Sequence, residues 1–285
     1  MRIYSIKNIL ILFILFQLLI GCKKNNSIKY SFFVAGHAYG STDDKAPGLH
    51  PPFQQEFQKI NNNKNIELGF FTGDLVHFPE PEYWEAALED LHKINCETHI
   101  APGNHETYHP HLFEKYIGKY YYAFEKNNDL FIILNGNENG WNIEGEQLSF
   151  LKNTIAEKAG KAKHVFIFIH QIIWWQKNTE FGKCTPNSFM HMAKTLNFHQ
   201  EILPFLKTIP KPVYLFAGDV GVFPDKPSLF HHKTNNVYLL ASGMGNNKTD
   251  NYLIADVFEN GEIKINVIGL NCEEGFECLG EIENY

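Results

Sequence analysis

Four apolar, strand-like runs each end in residue types that can donate to a metal. They are Phe70-Phe71-Thr72-Gly73-Asp74, Ile100-Ala101-Pro102-Gly103-Asn104-His105-Glu106, Phe166-Ile167-Phe168-Ile169-His170 and Leu215-Phe216-Ala217-Gly218-Asp219. Carboxylate, amide oxygen and imidazole together suit a divalent ion such as Zn, Mn or Fe. Gly-Asp or Gly-Asn alone reads as an ordinary turn. Four such clusters at strand ends read as a metal centre, because open α/β sheets gather ligands at the carboxyl ends of their strands.

The elements that must position these residues follow from hydrophobic periodicity. Ser31 to Gly36, Leu68 to Gly73, Leu130 to Leu134, His164 to His170 and Val213 to Gly218 are short apolar runs of strand length. Trp84, Leu88 and Leu91, and then Leu148, Leu151 and Ile155, have helical spacing. A helix-like stretch starts near Met190 and is broken by Pro204, Pro210 and Pro212. Val237 to Ala241, Tyr252 to Phe258 and Ile263 to Ile268 predict three late strands and a partly antiparallel end. Alternating strands and helices predict an α/β core. No repeat or composition break divides the chain, so residues 30–285 read as a single domain.

The motif series resembles the calcineurin-like metallophosphoesterases. Gly73-Asp74-Leu75-Val76, Gly103-Asn104-His105-Glu106 and His170 match the second, third and fourth family blocks, and Gln147-Leu148-Ser149-Phe150-Leu151 resembles a family helix between them. The resemblance runs from about Tyr30 to Ile268. It implies an αββα fold, in which two mixed β-sheets pack as a sandwich flanked by helices. It also implies one or two divalent ions over the strand ends and hydrolysis of a phosphoester.

The first and last blocks depart from the family. Gly36-His37-Ala38-Tyr39-Gly40 puts His37 where the family has Asp and Tyr39 where it has His; a second register would pair His37 with that histidine and leave Ala35 at the Asp position. Gly218-Asp219-Val220-Gly221 carries Asp for the first family histidine and Gly for the second. The resemblance then implies one well-furnished metal position, with Asp74, Asn104, His170 and Asp219. The neighbouring position is poorer, with Asp74, His37 and at most Tyr39 as a phenolate, unless His231 or His232 joins it. His105 matches the residue that contacts phosphate and protonates the leaving oxygen. Glu106 is read as a carboxylate steering His105 or a ligand. Asn135 to Trp141 is a turn-rich loop expected to border the crevice. Of Trp174 and Trp175, one is expected in the core and one at the surface.

At the N-terminus, Arg2 and Lys7 precede an apolar run from Ile9 to Ile20 and then Gly21-Cys22. The run is short for a membrane span and has the order of a secretory signal. It closes on a sequence that resembles a bacterial lipobox. That predicts a signal peptide over residues 1–21, lipidation of Cys22, a polar tether over 22–29 and an exported protein held on an envelope membrane. Cys272 and Cys278 can pair outside the cytoplasm, and free thiols are the equal alternative.

Composition narrows the partners. Of 285 residues 44% are hydrophobic and 14% aromatic, enough for a sizeable core and too many for a disordered chain. The 25 Lys and Arg against 32 Asp and Glu leave a net charge of −7, the wrong sign for holding a phosphate backbone. Nucleic acid is disfavoured as a partner, and a nuclease ranks behind a small-substrate phosphoesterase. The altered blocks leave open a catalytically impaired relative acting as a binding or assembly lipoprotein. Sequence does not specify the substrate or the oligomeric state.

Overall fold

The computed structural model describes residues 27–245, 247–270 and 279–285. Cys22, the apolar N-terminal run and the Cys272–Cys278 pair lie outside the described residues. Among the described residues eleven strands form two sheets. They are β1 (Ile28–Gly36), β2 (Ile66–Thr72), β3 (Glu97–Ala101), β4 (Tyr122–Lys126), β5 (Asp129–Ile133), β6 (Val165–Phe168), β7 (Val213–Ala217), β8 (Leu229–Thr234), β9 (Val237–Ser242), β10 (Asn251–Phe258) and β11 (Ile263–Gly269). One sheet has the order β11-β10-β1-β2-β3 and the other β4-β5-β6-β7-β9-β8.

Within the first sheet β1, β2 and β3 run parallel, and β10 and β11 complete it antiparallel. In the second, β5, β6, β7 and β9 run parallel between the antiparallel edges β4 and β8. The late strands give the partly antiparallel end expected and are divided between the two sheets. β9 joins the second sheet parallel to β7, whereas β10 and β11 join the first.

Alternation along β1 explains the layering, because successive side chains in a strand face opposite ways. Phe32 and Val34 face the second sheet and share a core with Phe70, Phe131, Phe168 and Phe216. Phe33 and Ala35 face outward onto a second core with Phe53, Phe71 and Trp84. Phe32 sits edge-on to Phe166 at 4.9 Å and to Phe216 at 6.0 Å, so one ring stitches the two sheets together.

Helices cover the outer faces. On the first sheet lie α1 (Pro51–Gln54), α2 (Phe57–Asn62) and α3 (Pro81–Leu91), the last burying Trp84, Ala87 and Leu91. α4 (Asn104–Thr107) and α5 (Pro110–Tyr116) follow β3. On the second sheet α6 (Gly145–Lys158) buries Leu151 and Ile155, the spacing predicted for it. The segment from Met190 is not one helix. A 3-10 turn at Phe189–His191 and a π turn at Phe198–Ile202 precede α7 (Leu203–Lys207), which Pro204 begins. Among the described residues no helix is long and apolar enough to cross a membrane.

The two sheets touch where their parallel strands end. A Cβ on Gly36, the last residue of β1, would lie 2.4 Å from the Gly218 Cα and 2.1 Å from the Ser242 oxygen. One on Gly218, just past β7, would lie 2.0 Å from the Thr72 oxygen. Only glycines let the ends of β1, β2 and β7 come this close, and this contact brings residues from both sheets into one crevice.

Candidate metal centre

Each block contributes from the carboxyl end of a parallel strand. His37 follows β1, Asp74 follows β2, Asn104 opens α4 after β3, His170 follows β6 and Asp219 follows β7. His170 Nε2 is the meeting point. It lies 3.2 Å from Asn104 Oδ1, 3.3 Å from Asp74 Oδ2 and 3.5 Å from Asp219 Oδ1. On the other side of Asp74, His37 Nε2 is 3.6 Å from the same Oδ2. All but Asn104 are buried.

The histidines are aimed by their second ring nitrogen. His170 Nδ1 is 2.8 Å from the Thr72 carbonyl, His37 Nδ1 is 2.7 Å from that of Met244, and His105 Nδ1 is 2.6 Å from that of His77. A carbonyl accepts only, so in each ring Nδ1–H donates and Nε2 is turned toward the crevice. Backbone partners of this kind fix the tautomer and direction of metal-binding imidazoles.

Asp74 is placed by strain and by a clamp. It has φ +53°, and His37 has φ +51°, a left-handed conformation uncommon for residues with a Cβ. The clamp is Glu106, fully buried, whose two oxygens accept the backbone N–H groups of Gly103, Asp74, Leu75 and Val76 at 2.7–3.0 Å. Glu106 therefore grips the loop that carries Asp74. It thereby positions a residue read as a metal ligand, and its hydrogen bonds go to that loop and not to the His105 ring. Gly103 makes room, since a Cβ there would lie 2.2 Å from both the nitrogen and Oδ1 of Asp74.

Asp219 has a partner that sequence reading did not find. Ser188 Oγ donates to its Oδ2 at 2.7 Å, and the Ser188 N–H donates to its Oδ1 at 3.1 Å. Ser188 lies in a long irregular connection 31 residues away, with no local pattern to mark it. The turn-rich loop at Asn135 does border the crevice. Asn137 donates to the Pro102 carbonyl and accepts from Gln171, while Gln147 of α6 bonds both the N–H and the carbonyl of Asn135.

The electrostatics favour a cation between the carboxylates. Burial pulls the His170 imidazole down, but Asp74 and Asp219 outweigh it, so the group is pushed up to about 10. Burial raises Asp219 to about 7, against the pull of His170 and the Ser188 hydrogen bonds. Asp74 is also raised by burial, yet the imidazoles around it, His170 foremost, hold it well below the usual carboxylate range. His37, buried and lowered to about 4, is neutral and has its Nε2 lone pair available.

Donors sharing one ion at about 2.0–2.2 Å lie roughly 3.0–3.5 Å apart, which the distances from His170 Nε2 match. Among the described residues no group of three or more His, Cys, Asp or Glu side chains is by itself arranged to hold a metal ion. The donor set around His170 includes an asparagine oxygen, and it suits one ion chemically.

The neighbouring position is different. Burial, then Asp74, Glu106 and Asp219, push the Tyr39 hydroxyl well above the ordinary tyrosine range. That hydroxyl lies 3.3 Å from His105 Nε2. Gly221 has φ +119°, and a Cβ there would lie 2.7 Å from the Met244 carbonyl carbon, so backbone fills the space a histidine would need. His231 and His232 lie on the edge strand β8, pairing with Leu240 and Leu239, and do not join the cluster. Of the two tryptophans, Trp174 is buried and Trp175 half-buried. Cys96 and Cys184 are free thiols.

Two parallel half-sheets meeting at a polar crevice, with Asp, Asn and His at their strand ends, define a metallophosphoesterase architecture. A family model described as calcineurin-like phosphoesterase matches residues 37–218, and the chain belongs to that family. The family supports phosphoester hydrolysis in general and typically uses divalent metals. Among solved structures, the chain resembles purple acid phosphatase PPD1 from yellow lupin (Lupinus luteus) seeds, with a TM-score of 0.60 and 13% identity. The match covers 86% of this chain and 52% of the lupin chain, so the chain spans about half the length of that phosphatase. Vps29 of Entamoeba histolytica, in a complex with Zn, gives a TM-score of 0.36 at 10% identity, covering 85% of this chain and 99% of that one. No curated protein sequence matches the chain significantly.

Proposed function

We propose that the protein is a metal-dependent phosphoesterase, exported and held on an envelope membrane by lipid on Cys22. The observation that carries the catalytic reading is the convergence of Asn104, Asp74 and Asp219 on His170 Nε2 from the ends of four strands. Asp74, Asn104, His170 and Asp219 would hold an ion of Mn, Fe or Zn, with His37 beside it. Such an ion polarises a phosphoryl oxygen and acidifies a bound water.

The chain's own groups do the rest. Asp74, fixed by Glu106, presents Oδ2 between His37 and His170. His105 is half-buried, its ring locked by the His77 carbonyl, with Nε2 toward Tyr39 and the crevice. A proton on His105 Nε2 is placed to pass to the leaving oxygen, and the Tyr39 hydroxyl orients that nitrogen.

The test uses the full chain in detergent and a form starting at Lys23. Metal content is measured first, and then turnover of phosphate mono- and diesters with Mn, Fe or Zn. About one ion per chain, and activity lost in both Asp74→Asn and His105→Ala, is the expected result. Activity that survives both substitutions overturns the reading. For the anchor, Cys22→Ala is expected to release the protein from membranes and abolish labelling by a radioactive fatty acid.

One observation favours a second reading. The Met244 backbone closes the space beside Gly221, which leaves the second metal position short of donors. A binding or assembly lipoprotein without turnover would show tight folding, little metal and no hydrolysis of any phosphoester.

A further inference from the structure

Tyr39 stands where the family resemblance placed a metal-binding histidine, and it is part of a continuous set of rings. Its centroid lies 4.3 Å from that of His37, 4.8 Å from His77 and 4.8 Å from His105. From His77 the series passes to Phe78 at 4.4 Å, and from His105 to Tyr108 at 6.4 Å. His37 and Tyr39 are buried, whereas Phe78 is 37% and Tyr108 61% exposed. The rings thus run from the floor of the crevice out to solvent.

Their exposure is selective. Among the described residues the exposed large hydrophobic side chains are Phe78, Tyr108, Phe189 and Met190. Phe78 and Tyr108 reach the crevice through their ring contacts with His77 and His105, while Phe189 and Met190 follow in sequence on Ser188, the partner of Asp219. Apolar surface gathered at one polar cleft marks a ligand site. Flat rings there favour a flat ligand, because offset and edge-to-face contacts add to the gain from area alone.

We propose that Phe78 and Tyr108, backed by His77, His105 and Tyr39, form a subsite for a flat, uncharged aromatic ring on the leaving alcohol of the substrate. This rests on the phosphoesterase reading, with His105 beside the leaving oxygen. Tyr39, Phe78 and Tyr108 become specificity residues for an aryl-bearing phosphoester, and the space given up by a second ligand set becomes the wall of that subsite.

The test compares benzyl, ethyl and octyl phosphate, alcohols of similar acidity, in the metal-loaded protein. It also compares binding of benzylphosphonate and ethylphosphonate by calorimetry. Expected is about a tenfold preference for benzyl in kcat/KM and in phosphonate affinity. That ratio should fall severalfold in Phe78→Ala and Tyr108→Ala, whose exposed positions spare the fold. Turnover without a benzyl preference, a preference for octyl over benzyl, or a benzyl preference unchanged in both variants overturns the subsite. Ring-selective phosphonate binding without any turnover retains the subsite and instead overturns the hydrolytic reading.

Discussion

The Glu106 carboxylate accepts the backbone N–H of Asp74 at 2.8 Å, and it takes those of Leu75, Val76 and Gly103 as well. One side chain from the third motif thereby sets the backbone of the second. Asp74 sits at positive φ with its carboxylate between two imidazoles, an arrangement its local sequence does not favour.

Glu106→Gln tests that clamp. The amide keeps one acceptor oxygen and turns an NH2 toward backbone N–H groups, which leaves buried donors unpaired. Stability is expected to drop by about 2–4 kcal/mol, read by urea denaturation. Metal bound per chain should drop with it, because the Asp74 loop is released.

Gly218→Ala tests the junction of the sheets. The added methyl would meet the Thr72 oxygen at 2.0 Å, and that is backbone with no rotamer to give way. A loss of about 3 kcal/mol or more is expected, together with weakened metal binding, since both sheets must separate to admit it. Unchanged thermal unfolding would contradict the close contact.

Gly221→His tests whether the second metal position can be rebuilt. It is not expected to raise metal content, because φ +119° and the Met244 backbone leave the imidazole no path into the crevice. Lower stability with unchanged stoichiometry, by elemental analysis, is the expected outcome. A second bound ion would show the space to be available.

Asp250 supplies a pH dependence away from the metal donors. Burial raises its carboxyl to about 6, partly opposed by hydrogen bonds from the Gly245 and Asn247 backbone and from Ser228. A raised folded-state value means that ionisation opposes folding. The penalty is absent below the unfolded value of about 3.9, grows as pH rises through about 6, and is full above it. Asp250→Asn should therefore gain on the wild type between pH 4 and 7, by up to about 3 kcal/mol. His50, 3.9 Å away and lowered by burial, has the opposite trend, losing stability as pH falls. The difference between the two proteins reports Asp250 together with its coupling to His50. A constant difference from pH 4 to 7 would contradict the shift.

Strand positions and the polar residues at their ends were legible from the chain because the runs before Asp74, Asn104, His170 and Asp219 stop abruptly at a metal-binding side chain, three of them through a glycine. β4 and β8 were not, since Tyr122–Lys126 and Leu229–Thr234 are edge strands in which aromatic, basic and apolar residues mix without clean alternation. The dispersal of the late strands between two sheets was also hidden, because periodicity records burial and not the neighbour that provides it.

By itself the sequence determined which residues stand at the strand ends, which motifs are altered, and that a Gly-Asp or Gly-Asn pair closes three of the four donor-bearing runs. Only the tertiary structure decided that Glu106 holds the Asp74 loop, that Ser188 fixes Asp219, and that Tyr39 bonds His105. It also decided that Met244 closes the space beside Gly221. The physical reason is that these are contacts between segments 23–66 residues apart, made by hydrogen bonds and backbone close approach that leave no periodic trace along the chain.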